Sequence, residues 1–138
     1  MGEKMDSCIL ALPREDMEHC IKIGLFGRNR KILIWKVKAG DAIVCYVTKE
    51  CKIIALGEAT SDYYVDDVPV FKATEEVFPD RFKFKAKLIP SNRQIDLKTL
   101  VDDLEFIGNK AYWSVYLRSG MNRLTPNDWK LIQNHVAT

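Results

Sequence analysis

The 138-residue chain has no long apolar run; its unbroken hydrophobic stretches extend only a few residues, far short of the roughly 20 needed to cross a bilayer as a helix. Its first residues, Met1-Gly2-Glu3-Lys4-Met5-Asp6, lack the apolar core of a secretory signal. The expectation is an intracellular, cytoplasmic protein with no membrane partner. Histidine is scarce, at two residues, and the four cysteines Cys8, Cys20, Cys45 and Cys51 form no CxxC pair. Zinc-type ligand spacing is therefore missing; no metal or other cofactor is expected, and buried, reduced thiols account for the cysteines. Excess charge of one sign is missing too. Lys and Arg number 21 against 19 Asp and Glu, leaving +2, too little for general attraction to a polyanion. A nucleic-acid site has to come from local segregation of charge.

Catalytic signatures are equally scarce. The chain carries no GxSxG elbow, P-loop, HExxH or GxGxxG. Its adjacent acidic pairs, Asp66-Asp67, Glu75-Glu76 and Asp102-Asp103, diverge on a helix or a strand and read as solvated surface charge. No catalytic residue is assigned, and the chain is expected not to be an enzyme.

What is present is the composition of one globular domain over residues 1–138, with 47% apolar and 29% charged residues. Residues 7–12 form an apolar run suited to a buried strand, and Pro13 opens a helix with Met17, Cys20, Ile21 and Gly24 on one face. Residues 24–30 read as a glycine-bracketed basic connection, and 32–37 as a second short helix ended at Ala39-Gly40. Residues 42–48 and 52–59 are β-rich runs separated by Lys49-Glu50-Cys51, the length of a hairpin loop, and are expected to pair antiparallel. Phe82, Phe84, Ala86 and Leu88 alternate with Arg81, Lys83, Lys85 and Lys87, which predicts an apolar row inward and a cationic row outward. Residues 97–104 read as a short helix and 112–117, rich in aromatic and β-branched residues, as a strand. Thr125-Pro126-Asn127-Asp128 supplies a cap, a first-turn proline and a carboxylate for a last helix that buries Trp129, Ile132 and Val136. Five or six short strands without regular strand–helix alternation predict an α+β domain built on a small, bent, mostly antiparallel barrel flanked by helices.

Aromatic and basic residues mix in the predicted loops and strand ends: Phe26 with Arg28 and Arg30, Tyr63-Tyr64, Tyr112-Trp113, and Arg118 with Arg123. Rings stack on nucleobases while guanidinium groups hold phosphates, so the pattern describes a nucleic-acid binder. Trp35, Trp129, Phe78, Phe82 and Phe84 are better accounted for as core. The lysines at 83, 85 and 87 also serve as charge that discourages strand-to-strand aggregation.

The C-terminal third carries Leu104-Glu105-Phe106-Ile107-Gly108-Asn109-Lys110, Trp113, Leu124-Thr125-Pro126 and Trp129-Lys130-Leu131-Ile132. In these residues it resembles the EVE domain, a member of the PUA-like superfamily that includes the methyl-adenosine-reading YTH domains. Looser agreement comes from Lys38-Ala39-Gly40-Asp41, Tyr46, Leu56-Gly57, Tyr64-Val65-Asp66 and Phe78-Pro79-Asp80-Arg81. The resemblance implies a bent mixed barrel with a pocket that receives one modified, flipped-out base. By position it implies pocket residues Cys8, Leu10, Phe26, Gly27, Asn29, Tyr64, Asp66, Asn109 and Trp113, and backbone contacts Arg28, Arg30, Lys31, Lys83, Lys85, Lys110, Arg118 and Arg123. Where family members often carry tryptophan in the first strand and the following helix, this chain has Cys8 and Met17; the cage expected here is Phe26, Tyr64 and Trp113. The implied partner is DNA or RNA with a modified base, and the implied setting is a stand-alone reader or the targeting part of a DNA-restriction complex. Two other readings stay open: a PUA-like RNA-binding module indifferent to base modification, and an enzyme acting on a nucleotide or other small molecule.

Overall fold

A computed structural model of the chain describes residues 7–28, 34–68, 78–118 and 120–137, without the side chains of Trp35 and Ala137. The strands are β1 (Ser7–Leu12), β2 (Leu25–Arg28), β3 (Ala42–Val47), β4 (Lys52–Ala59), β5 (Tyr64–Val65), β6 (Asp80–Leu88), β7 (Ile95–Asp96) and β8 (Met121–Arg123), with helices α1 (Arg14–Ile23) and α2 (Pro126–Ala137). They form one curled sheet in the order β2-β6-β4-β3-β1-β8, to which β5 adds by pairing β6 and β7 by pairing β4. The β1–β3 pair is parallel and the others are antiparallel. This is the expected bent, mostly antiparallel half-barrel of an α+β domain, with two-residue strands β5 and β7 beyond the five or six expected.

The centre of the sheet is buried on both faces, which is why β1 and β3 read as unbroken apolar runs. Alternate residues separate the faces. Cys8 and Leu10 of β1, with Ile43, Cys45 and Val47 of β3, join Phe26, Phe82 and Phe84 in the barrel interior, sealed by Met17 and Cys20 of α1. Ile9, Ala11, Val44 and Tyr46 face a second, outer cluster completed by Leu100, Leu104, Ile107, Leu117, Leu124 and Ile132. Gly24 ends α1 in the left-handed region at φ 70°, and its N–H donates to the Cys20 carbonyl at 2.8 Å. Its own carbonyl accepts from the Phe84 N–H at 3.0 Å, so the turn also docks the helix on β6.

Several expectations change. Residues 25–28 are a strand, because the first half of β6 needs a partner and β2 supplies it. Of residues 32–37, those described hold a single 3-10 turn, Ile34–Lys36. Residues 97–104 form two 3-10 turns, Leu97–Thr99 and Val101–Asp103. Residues 112–117 are not a strand but most of a kinked 3-10 segment, Lys110–Leu117. The Asn109 side chain caps that segment by accepting from the Ala111 N–H at 3.2 Å, and the Asn109 N–H donates to the Tyr116 hydroxyl at 2.9 Å. Leu88 is 56% exposed at the end of β6, and Arg81, expected outward with the lysines, is 2% exposed.

Candidate nucleic-acid interface

The first half of β6 lies between β2 and β5, with Gly27 and Tyr64 opposite Arg81 and with Arg28 and Val65 opposite Asp80. Residues opposite one another point to the same face of a sheet. Phe82 and Phe84 point inward, so Asp80 points inward as well, whereas Arg81 and Tyr64 face out. Arg81 donates from Nε to the Phe78 carbonyl at 2.9 Å and from Nη2 to the Val68 carbonyl, and its Nη1 lies 3.8 Å from Asp66 Oδ2. The Asp66 N–H donates to the Pro79 carbonyl at 3.0 Å, and Asp66 Oδ1 accepts from the Val68 N–H at 3.0 Å. One buried guanidinium thus ties together the two chain segments that enter and leave the corner.

On the inward side the Tyr63 hydroxyl donates to Asp80 Oδ1 at 2.6 Å. This bond to a carboxylate pushes the Tyr63 phenol up to about 12. Burial raises the Tyr64 phenol, against the opposing pull of Arg81. Phe78 has a φ of 53° although it precedes a proline, a conformation unfavourable for a bulky residue by about 1–3 kcal/mol. Tyr63, Tyr64 and Phe78 are all half-buried. Tyr63 and Asp80 thus occupy the inner face of this corner, and Tyr64 and the fixed Arg81 guanidinium its outer face.

The structure therefore brings Tyr64 and Asp66 together with Phe78, Asp80 and Arg81, but does not assemble the expected cage. Cys8 and Leu10 are wholly buried and Gly27 is buried on β2. Phe26 is 1% exposed, packed on Phe82 with centroids 5.6 Å apart at 47°. Trp113 packs against the outer cluster, on the opposite side of the sheet from Phe26, and the Asn109 carbonyl oxygen is engaged as a cap. Neither continues the wall begun by Tyr64.

Among the backbone candidates, Lys83 and Lys85 are exposed, and Lys85 lies 3.3 Å from Glu58. Arg118 and Arg123 are exposed, and Arg28 is half-buried beside Gly120. Lys110 instead donates its ammonium group to the Leu104 carbonyl, so it tethers a loop. Asn29, Arg30 and Lys31 lie outside the described residues. The sequence reading named Tyr63 among the aromatics and Asp80 within a motif but assigned neither to the pocket, although running the Phe82–Phe84 alternation back two residues puts Asp80 on the inner face.

The interior thiols are poor nucleophiles. Burial raises Cys8 and Cys45 far above the ordinary thiol range and pushes Cys20 up to about 12. Among the described residues no group of three or more His, Cys, Asp or Glu is placed to hold a metal ion, and no helix is long and apolar enough to cross a membrane.

The fold is shared with ASCH from Zymomonas mobilis (TM-score 0.62, 12% identity, 95% of this chain and 96% of that one). It is shared also with the Mmi1 YTH domain (TM-score 0.60, 8% identity, 96% of this chain and 76% of that one); the architecture is PUA-like. In sequence, a UPF0310 protein of Pyrococcus horikoshii is 34% identical over 135 residues, covering 87% of this chain and 91% of that protein. A second UPF0310 protein, from Pyrococcus abyssi, is 32% identical over 118 residues, 78% of this chain and 81% of its own. The EVE domain model matches residues 24–135, and the chain belongs to the EVE domain family.

Proposed function

We propose that this chain is a nucleic-acid-binding module, without catalysis of its own, that takes up one modified, flipped-out base at the β5–β6 corner. The observation that carries the reading is the outward, half-buried Tyr64 beside the Arg81–Asp66 pair, with the Tyr63–Asp80 bond behind it on the inner face of the same corner. Turning a base out of its strand costs a few kcal/mol, and each stacked ring returns about 1–3 kcal/mol. Asp66, paired with the outward Arg81, supplies an acceptor for a base edge that presents N–H groups. One methyl buried against these rings adds only about 0.8 kcal/mol, roughly fourfold. Stronger selectivity has to come from a pocket shape that leaves a polar group unpaired with the wrong base. Membership of the EVE family and a fold shared with a YTH domain support the same reading. Targeting of a restriction complex to methylated DNA is the setting in which such a module would act.

The test is a titration of labelled oligonucleotides, DNA and RNA, carrying 5-methylcytosine, 5-hydroxymethylcytosine or N6-methyladenine against their unmodified forms. The expected result is one modified form bound at least about tenfold more tightly than its parent. Undetectable binding of every form at low salt overturns the proposal. Binding that falls steeply with salt and ignores modification reassigns the chain as an RNA-type PUA-like module.

A further inference from the structure

The outer face of β6 leads away from the β5–β6 corner to a second concavity. Register places Tyr64 on the same face as Arg81, and strand alternation continues that face through Lys83, Lys85 and Lys87, all three exposed. Beyond them lies an open groove of about 550 Å³. Its floor is Leu56 and Gly57 of β4, its rim is Glu58, Lys85 and Lys87, and its far wall is the half-buried indole of Trp129 from the first turn of α2. Gly57 lets β4 and β6 approach closely beneath the groove, since a Cβ there would collide with the Lys85 carbonyl oxygen on β6.

Successive outward residues of a strand lie about 6.6 Å apart, a spacing comparable to that of neighbouring phosphates along an extended single strand. The groove itself pairs a flat π-surface with two ammonium groups at one edge, the arrangement that seats a base and its phosphate together. Aggregation control is an incomplete account of Lys83, which lies inside the sheet opposite Leu25 of β2. Four to six residues, about 13–20 Å of strand, separate Arg81 from Lys85 and Lys87, a distance that a few linked nucleotides span.

We infer that the groove between Trp129 and the Lys85–Lys87 edge of β6 is a second nucleotide site, which holds an unmodified nucleotide of the single strand whose modified base enters the β5–β6 corner. This rests on the proposed function for its partner but on separate residues for its site. The expected behaviour is sequence-tolerant stacking on Trp129 with phosphates on the lysine row, and Glu58 opposing it by holding Lys85 at 3.3 Å.

The full chain, isotope-labelled, is titrated by NMR with an unmodified oligo(dU) octamer and, in a second arm, with uridine 5′-monophosphate. The octamer is expected to shift the Trp129 indole N–H and the amides of Gly57, Lys85 and Lys87. Equal affinity for the free mononucleotide would overturn a strand-bound site in favour of a nucleotide pocket. Lys85→Gln with Lys87→Gln, both exposed and tolerant of change, should weaken octamer binding at least about fivefold and make the slope of log K against log salt shallower by about 1.4. Glu58→Gln should tighten it severalfold. Shifts confined to Tyr63, Tyr64 and Arg81, with an unchanged salt slope, would defeat the second site and leave the first. Shifts confined to Trp129 and the lysines support the second site and leave the corner, which takes a modified base, to the titration with modified oligonucleotides; no shifts at all would defeat the second site.

Discussion

Arg81 is the residue on which the corner turns. It is 2% exposed, its partner Asp66 is 39% exposed, and two backbone carbonyls accept from it as well. A buried cation is tolerated only when its donors are met, and the forked guanidinium meets groups on three sides where an ammonium cannot. Arg81→Lys is therefore expected to lower stability by about 1–3 kcal/mol, read as a lower urea midpoint at unchanged slope. It should also free the segment around Val68, making it more readily cut by protease. The neighbouring Tyr63–Asp80 bond gives a pH signature. The Tyr63 phenol titrates at about 12 in the folded chain, against an ordinary value of 10.0. Its extra stability is thus present below pH 10 and lost as pH rises from about 10 to about 12. The stability difference between the parent and Tyr63→Phe should shrink across that window, and a difference flat with pH would mean the bond is absent in solution.

At the scale of elements, the residues that carry the family likeness most clearly form a brace. Asp128, wholly buried in the first turn of α2, accepts from the N–H groups of Glu105 at 2.6 Å and Phe106 at 3.0 Å. The Thr125 hydroxyl accepts from the Asp128 N–H at 3.1 Å and donates to Glu105 Oε1 at 2.6 Å. The bonds from Thr125 and Asn127 hold the Glu105 carboxyl below its usual range. Asp128→Ala leaves three backbone donors, the N–H groups of Glu105, Phe106 and Thr125, without their acceptor, and a loss of about 2–4 kcal/mol in chemical unfolding is expected; a loss under about 0.5 kcal/mol would show that water replaces the carboxylate. These elements were legible because their signals are local. The alternation of β6, the cap before α2, Pro13 before α1 and the loop between β3 and β4 each sit within a few residues of sequence. Residues 110–117 were not, since the β propensity of Tyr112 to Tyr116 yields to bonds made by Asn109 and Tyr116. The short strand β2 was hidden for the same reason, because only its partner on β6 calls for it. At the site, Tyr64 and Asp66 were assigned to the pocket and their neighbours Tyr63 and Asp80 were not, the difference being a matter of which face each residue takes.

For the whole molecule, a single curled sheet covered on both faces at its centre separates residues that look alike in sequence. Phe26 and Trp113 both sit among basic residues, yet one is interior core and the other belongs to the outer layer. The same curl leaves the outward face of β6 uncovered, and that face carries Tyr64 and the lysine row, so a net charge of only +2 is compatible with a locally cationic track. Two substitutions separate the roles. Tyr64→Ala removes a half-buried ring from the corner, and its affinity for the preferred oligonucleotide should fall about tenfold, the loss of about 1–3 kcal/mol of stacking, with little change in melting temperature. Trp113→Ala removes a ring packed on the outer cluster, and its cost of about 1–3 kcal/mol should appear in stability, while affinity stays within about twofold. Measuring both quantities on both variants decides between two places for the site: if the folded Trp113→Ala variant loses more affinity than Tyr64→Ala, nucleic acid binds over the Lys110–Leu117 segment and not at the β5–β6 corner.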